Sequence, residues 1–128
     1  MSSLTTILAL YGIVVLVTIL IQVTAAAQKF DLSQLAGNRE SLPSLTGTAG
    51  RLDRAQANSV VAMALFAPPV LILAQLPQPP AGAMFAASTF LLARIAYVVV
   101  YALGIAYVRT LVWLVGFAMT FWLYFLAL

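Results

Sequence analysis

The chain has 128 residues, of which 64% are hydrophobic and 7% charged, with six basic and three acidic side chains and a net charge of +3. Nine charges cannot clothe a water-soluble surface, and a mean hydropathy of +1.09 marks one membrane domain without a soluble module. Cysteine and histidine are absent, which removes disulfides, thiolate and imidazole metal sites, histidine-ligated haem and any imidazole-activated nucleophile, while the few scattered cations form no nucleic-acid footprint.

Four stretches reach the roughly 20 apolar residues that a helix needs to cross about 30 Å of hydrocarbon. The first runs over about 4–27. It reads as a span and not as a cleaved leader, because no basic residue precedes it and its apolar run exceeds a signal h-region, although Ala25, Ala26 and Ala27 resemble a cleavage site. Ser2 in place of glycine excludes N-myristoylation. A polar loop over about 28–50 follows, the one sizeable segment expected outside the membrane.

The second span is expected over about 53–76, with Pro68 and Pro69 near its middle. Two adjacent prolines free backbone carbonyls and predict a kink or local unwinding unless neighbours restore the lost bonds. Pro77, Pro79, Pro80 and Gly82 then make a tight turn. The third and fourth spans, about 83–107 and 110–128, are joined so closely that they form a helical hairpin. Small residues, Ala62, Ala64 and Ala67 on the second span and Ala86, Ala87 and Ser88 on the third, permit close helix approach. The architecture expected is an all-α, antiparallel bundle of four transmembrane helices.

Lys29, Arg39, Arg51 and Arg54 cluster on the long loop and its flanks, and Arg109 at the third connection. The positive-inside rule therefore predicts a cytoplasmic first loop and two non-cytoplasmic termini. Trp113, Trp122 and Tyr124 suit interfacial belts or packing against neighbouring helices equally well.

Polar residues on the spans are the informative ones. Arg94 stands halfway along an otherwise apolar helix, where a guanidinium costs at least about 2.5–3.5 kcal/mol on insertion scales. No carboxylate occurs on the third or fourth span to pair with it. Tyr97 and Tyr101 continue its stripe, and on the second span Arg51, Arg54 and Asn58 fall at i, i+3 and i+7 on another. If the stripes face each other, within one chain or between subunits, they line a cationic, phenolic cleft at the loop end. Each member also has a plainer reading: Arg51 and Arg54 as snorkelling charges, Asp53 as the balance for one of them, and Asn58 as an interhelical hydrogen bond. With no imidazole or thiol in the chain, a catalytic nucleophile would arrive with a substrate, and a thiol would serve.

The run Arg51-x-x-Arg54-Ala-Gln56-x-Asn58, followed by Arg94-x-x-Tyr97-x-x-x-Tyr101 and Arg109, resembles the MAPEG family, membrane-associated proteins in eicosanoid and glutathione metabolism. The similarity extends over the whole chain. It implies a homotrimer in which glutathione lies between subunits in the cytoplasmic half of the membrane, with a hydrophobic small molecule as second substrate and lipids as surroundings. Carried over by position, Arg51, Arg54, Gln56, Asn58, Arg94, Tyr97 and Tyr101 would contact glutathione. Arg109 would stabilise its thiolate, assisted by Tyr97 or Tyr101. The family pattern places an acid three residues after the asparagine, where it resembles a clamp for the glutathione amine. This chain has Val61 there, and the proline that follows in the pattern is displaced to Pro68 and Pro69. The resemblance thus implies either a glutathione-dependent transferase or peroxidase, or a non-catalytic trimer that binds a lipid or anionic metabolite or serves as a subunit of a larger assembly.

Overall fold

Ser3 accepts the Thr6 amide on its hydroxyl oxygen at 3.2 Å and so caps α1, Leu4–Ala27. The remaining elements of the computed structural model are a single-turn helix α2, Leu32–Ala36, and the long helices α3, Gly47–Ala74, α4, Ala83–Leu103, and α5, Ala106–Ala127. The structure describes residues 3–37 and 45–128. Arg39, counted above among the basic loop residues, lies outside them. Four helices are long and apolar enough to cross a membrane. They run alternately up and down, so the termini and the 75–82 turn share one end, and the long loop and the 104–105 turn share the other. α1 packs on α3 and α4, and α5 packs on α4 and α3.

Lipid tails are as apolar as leucine, so these helices are held by close packing and by polar contacts. At the terminus end Leu4, Ile7, Phe66, Val70, Leu73, Ala86, Ala87 and Leu123 are buried. Phe66 and Phe90 stack with centroids 3.9 Å apart, and Tyr11 meets Phe90 edge-on at 5.0 Å. Ala86 and Ala87 are fully buried, in keeping with the close approach expected of them, whereas Ala64 faces outward.

Three boundaries differ from those read in the sequence. α3 starts at Gly47 and not near residue 53, with the Gly50 amide already bonded to the Thr46 carbonyl at 3.2 Å. α3 also passes through Pro68 and Pro69 without unwinding. Phe66, Pro69, Val70 and Leu73 are all buried around the two missing amides, so side-chain packing holds the segment where backbone bonds are lost. Finally, α4 stops at Leu103 and not at 107. Gly104 adopts φ +78°, its amide bonds Tyr101 O at 3.0 Å, and the Ile105 amide bonds Val100 O at 3.2 Å, the paired bonds of a Schellman stop. α5 therefore begins at Ala106, and Arg109 lies inside it, not in the connection.

Gly82 opens α4 at φ +93°, and a Cβ there would sit 2.7 Å from Trp122 Cζ2. Trp122 thus packs over this turn. Gly82→Ala is expected to lower stability by about 1–3 kcal/mol through backbone strain and collision, read as a depressed melting temperature in detergent. Gly12→Ala, whose Cβ would meet only Met63 Cε at 3.7 Å, should leave melting unchanged.

Candidate functional site

At the loop end the small residues give way to polar ones, and the two stripes meet within a single protomer. Arg54 Nε donates to Tyr101 Oη at 3.1 Å, joining α3 to α4. Since Tyr101 accepts here, its own O–H remains a donor. Gly104 folds α5 back along α4, so Arg109 returns to Tyr101 with its guanidinium carbon 4.7 Å from the ring centroid. An unbroken helix to residue 107 would have left the two about 12 Å apart along the axis.

Arg94 is 2% exposed. Its Nη2 donates to Asn58 Oδ1 at 2.9 Å and to Ser59 Oγ at 3.3 Å, and its guanidinium lies 4.2 Å from the Tyr97 ring centroid. Ser59 in turn offers its carbonyl to Tyr11 Oη at 2.9 Å, so α1 is tied to the same turn of α3. The Arg94 stem passes close to Gly116 of α5, where a Cβ would lie 3.5 Å from Cδ. Arg94 Nε is buried and has no partner among the described residues. Because a guanidinium only donates, its bond to Asn58 fixes which end of that amide is oxygen and leaves the NH₂ end for other acceptors.

Two hollows adjoin this network. One, of about 250 Å³, is lined by Asn58, Tyr97, Tyr101, Arg109, Thr110 and Trp113. The other, of about 290 Å³, is almost wholly apolar, with Val61, Leu65, Phe90, Phe117 and Phe121 along its walls and Asn58, Arg94 and Thr120 among its polar members. Asn58 and Trp113 border both. Trp113 stacks on Phe117 at 5.1 Å, a packing role between the hollows. A cationic, donor-rich chamber thus abuts an apolar groove, an arrangement able to hold an anion beside a hydrophobic group.

Not every residue singled out in the sequence joins the network. Gln56 donates to Asp53 Oδ1 at 3.1 Å, on a side of α3 away from the Arg51, Arg54 and Asn58 stripe. Asp53, expected to balance an arginine, is engaged there. Arg51 donates from Nε to Ala102 O at 3.1 Å and from Nη2 to Thr48 Oγ1 at 3.1 Å. It therefore caps the C-terminus of α4, where a cation also meets the negative end of the helix dipole. Tyr11, Ser59 and Gly116 were not singled out. Tyr11 as the one phenol of α1, and Gly116 as a lone glycine within an apolar helix, were the available signals.

A model of the MAPEG family matches residues 3–128. No curated protein and no solved structure matches the chain.

Proposed function

This chain belongs to the MAPEG family, and from that premise we propose that it is a thiol-dependent transferase or peroxidase, using glutathione to attack a lipophilic electrophile taken from the bilayer. The observation that carries the reading is Arg109 over Tyr101, in a chamber that shares Asn58 and Trp113 with an apolar groove. In this reading Arg109 favours the thiolate, the Tyr101 hydroxyl donates to sulfur, and Arg54, Asn58, Arg94 and Tyr97 hold the thiol's anionic groups. Gln56 and Arg51 act at the rim. The assembly is a homotrimer with the basic end in the cytoplasm and both termini opposite.

A free thiol of pKa about 8.5 is mostly protonated at neutral pH, and lowering it by two units takes about 2.7 kcal/mol of preferential thiolate stabilisation. A guanidinium in a partly desolvated chamber supplies energies of that order. In conjugation, a carbon–sulfur bond forms as the leaving group departs with its electron pair, and the thiol proton passes to water. In peroxide reduction, sulfur takes the terminal oxygen as the O–O bond breaks and the alkoxide is protonated. A second glutathione then converts the sulfenic acid to the disulfide with release of water.

Calorimetric titration of the detergent-solubilised protein with glutathione, alongside turnover of a chromogenic aryl halide and of a lipid hydroperoxide, tests this reading. Saturable heat with turnover is expected. No heat and no turnover at millimolar glutathione would contradict it. Val61 supports a second reading, a non-catalytic binder of a lipid or anionic metabolite, because an apolar wall stands where an amine clamp would be needed.

A further inference from the structure

Any occupant of the joined hollows meets cations and donors at one end and hydrocarbon along the rest. Among the described residues, no carboxylate lines either hollow. The whole chain has only three acids, Asp31, Glu40 and Asp53. Asp31 caps α2, Asp53 is bonded to Gln56, and Glu40 lies outside the described residues. Val61 lies eight residues beyond Asp53 on the same helix, about 12 Å deeper at 1.5 Å per residue. A second copy of the chain brings Asp31 and Asp53 at the same end, so the described acids of a neighbouring subunit supply no carboxylate at that depth either. Arg94, buried with an unpartnered Nε, lines the groove beside Val61. An ammonium placed there would face a guanidinium and hydrocarbon with no carboxylate from the protein to meet it, which is costly away from water.

We propose that, among thiols carrying carboxylates, the site prefers one whose nitrogen is uncharged over glutathione itself, and that Val61 is the residue that sets this preference. The inference rests on the reading that the site takes a thiol-bearing acid, and it names the class of that acid. The sulfur meets Arg109 and Tyr101, and a carboxylate meets the Asn58 amide. The part of the ligand that in glutathione would carry the amine lies against Val61 and Leu65, where an acyl-capped nitrogen is accommodated at lower cost than a charged one.

The test is calorimetric and needs no turnover. S-hexylglutathione and its N-acetyl derivative share both carboxylates and the same alkyl chain, and differ only in the ammonium and its cap. The N-acetyl form is expected to bind the wild-type protein at least about tenfold more tightly. Val61→Glu should reverse the order. Val61→Gln, which adds an acceptor without a charge, should narrow the gap and guards against a misfolded Glu variant. Equal or tighter binding of the free-amine form by the wild type overturns the proposal, as does binding of neither. Turnover with thiols is measured separately. If the binding order holds with every thiol inert, the catalytic reading fails and the selectivity stands.

Discussion

Arg94→Met is expected to weaken binding of an anionic thiol by about 10- to 150-fold, the value of a hydrogen bond from a charged donor, while the fold melts no lower than wild type. The two effects separate because the guanidinium is poorly served where it sits. It is 2% exposed, bonds Asn58 and Ser59 through one nitrogen, and leaves Nε without a partner among the described residues. Replacing a buried ionic group by an apolar one of similar length is often neutral, or stabilising by about 1–4 kcal/mol. The groups left behind can be satisfied locally. Ser59 Oγ can bond a carbonyl of the preceding turn, and Asn58 borders two hollows. Arg94→Lys should do worse on both counts, since a shorter side chain ending in an ammonium has no flat face for Tyr97 while reaching for the Asn58 and Ser59 oxygens that Arg94 Nη2 bonds. Thermal melting and calorimetry on the same samples check this. If Arg94→Met unfolds the bundle, Arg94 is structural glue and not a retained ligand group.

Arg109→Ala is expected to lower turnover at neutral pH by about 10²–10³-fold, the usual cost of removing a charge-stabilising donor from a reacting centre. Melting should barely change, since Tyr101 keeps its bond from Arg54 and Arg109 sits half-buried at the start of α5. The deficit should shrink as pH rises through about 8.5, where a free thiol ionises without assistance. Tyr101→Phe should cost less, about tenfold, because one neutral donor is lost while the guanidinium stays. A pH-independent loss in Arg109→Ala would mean that the arginine holds substrate and does not act on the thiolate.

Much of this was legible in the residues. Four apolar runs read as spans by their length, and Arg94 in hydrocarbon demands polar company, which the structure provides as Asn58 and Tyr97. The i, i+3, i+7 spacing put Arg54 and Asn58 on the face that meets α4. Helix ends were harder. Gly47 and Gly50 read as loop composition, yet α3 absorbs both, Gly47 at its exposed first position and Gly50 buried against the Leu45 carbonyl. Gly104 passed unnoticed within an apolar run, although its left-handed conformation ends α4 and so carries Arg109 to Tyr101. Tyr11 and Gly116 left only faint signals, a single phenol and a single glycine in apolar helices, because their importance is tertiary. A phenol on α1 and an absent side chain on α5 matter only once both helices pack around Arg94.

In the proposed reading, guanidinium and phenol groups of α3, α4 and α5 within one protomer hold an anion, and the apolar groove beside Val61 receives its hydrophobic part. An experimental density map of the protein saturated with N-acetyl-S-hexylglutathione tests it most directly. Sulfur is expected beside Arg109 and Tyr101, a carboxylate within hydrogen-bond reach of the Asn58 amide, the acetyl cap against Val61 and Leu65, and the hexyl chain running toward Phe117 and Phe121. Ligand density seated elsewhere on the bundle, with Arg109 and Tyr101 untouched, would contradict it.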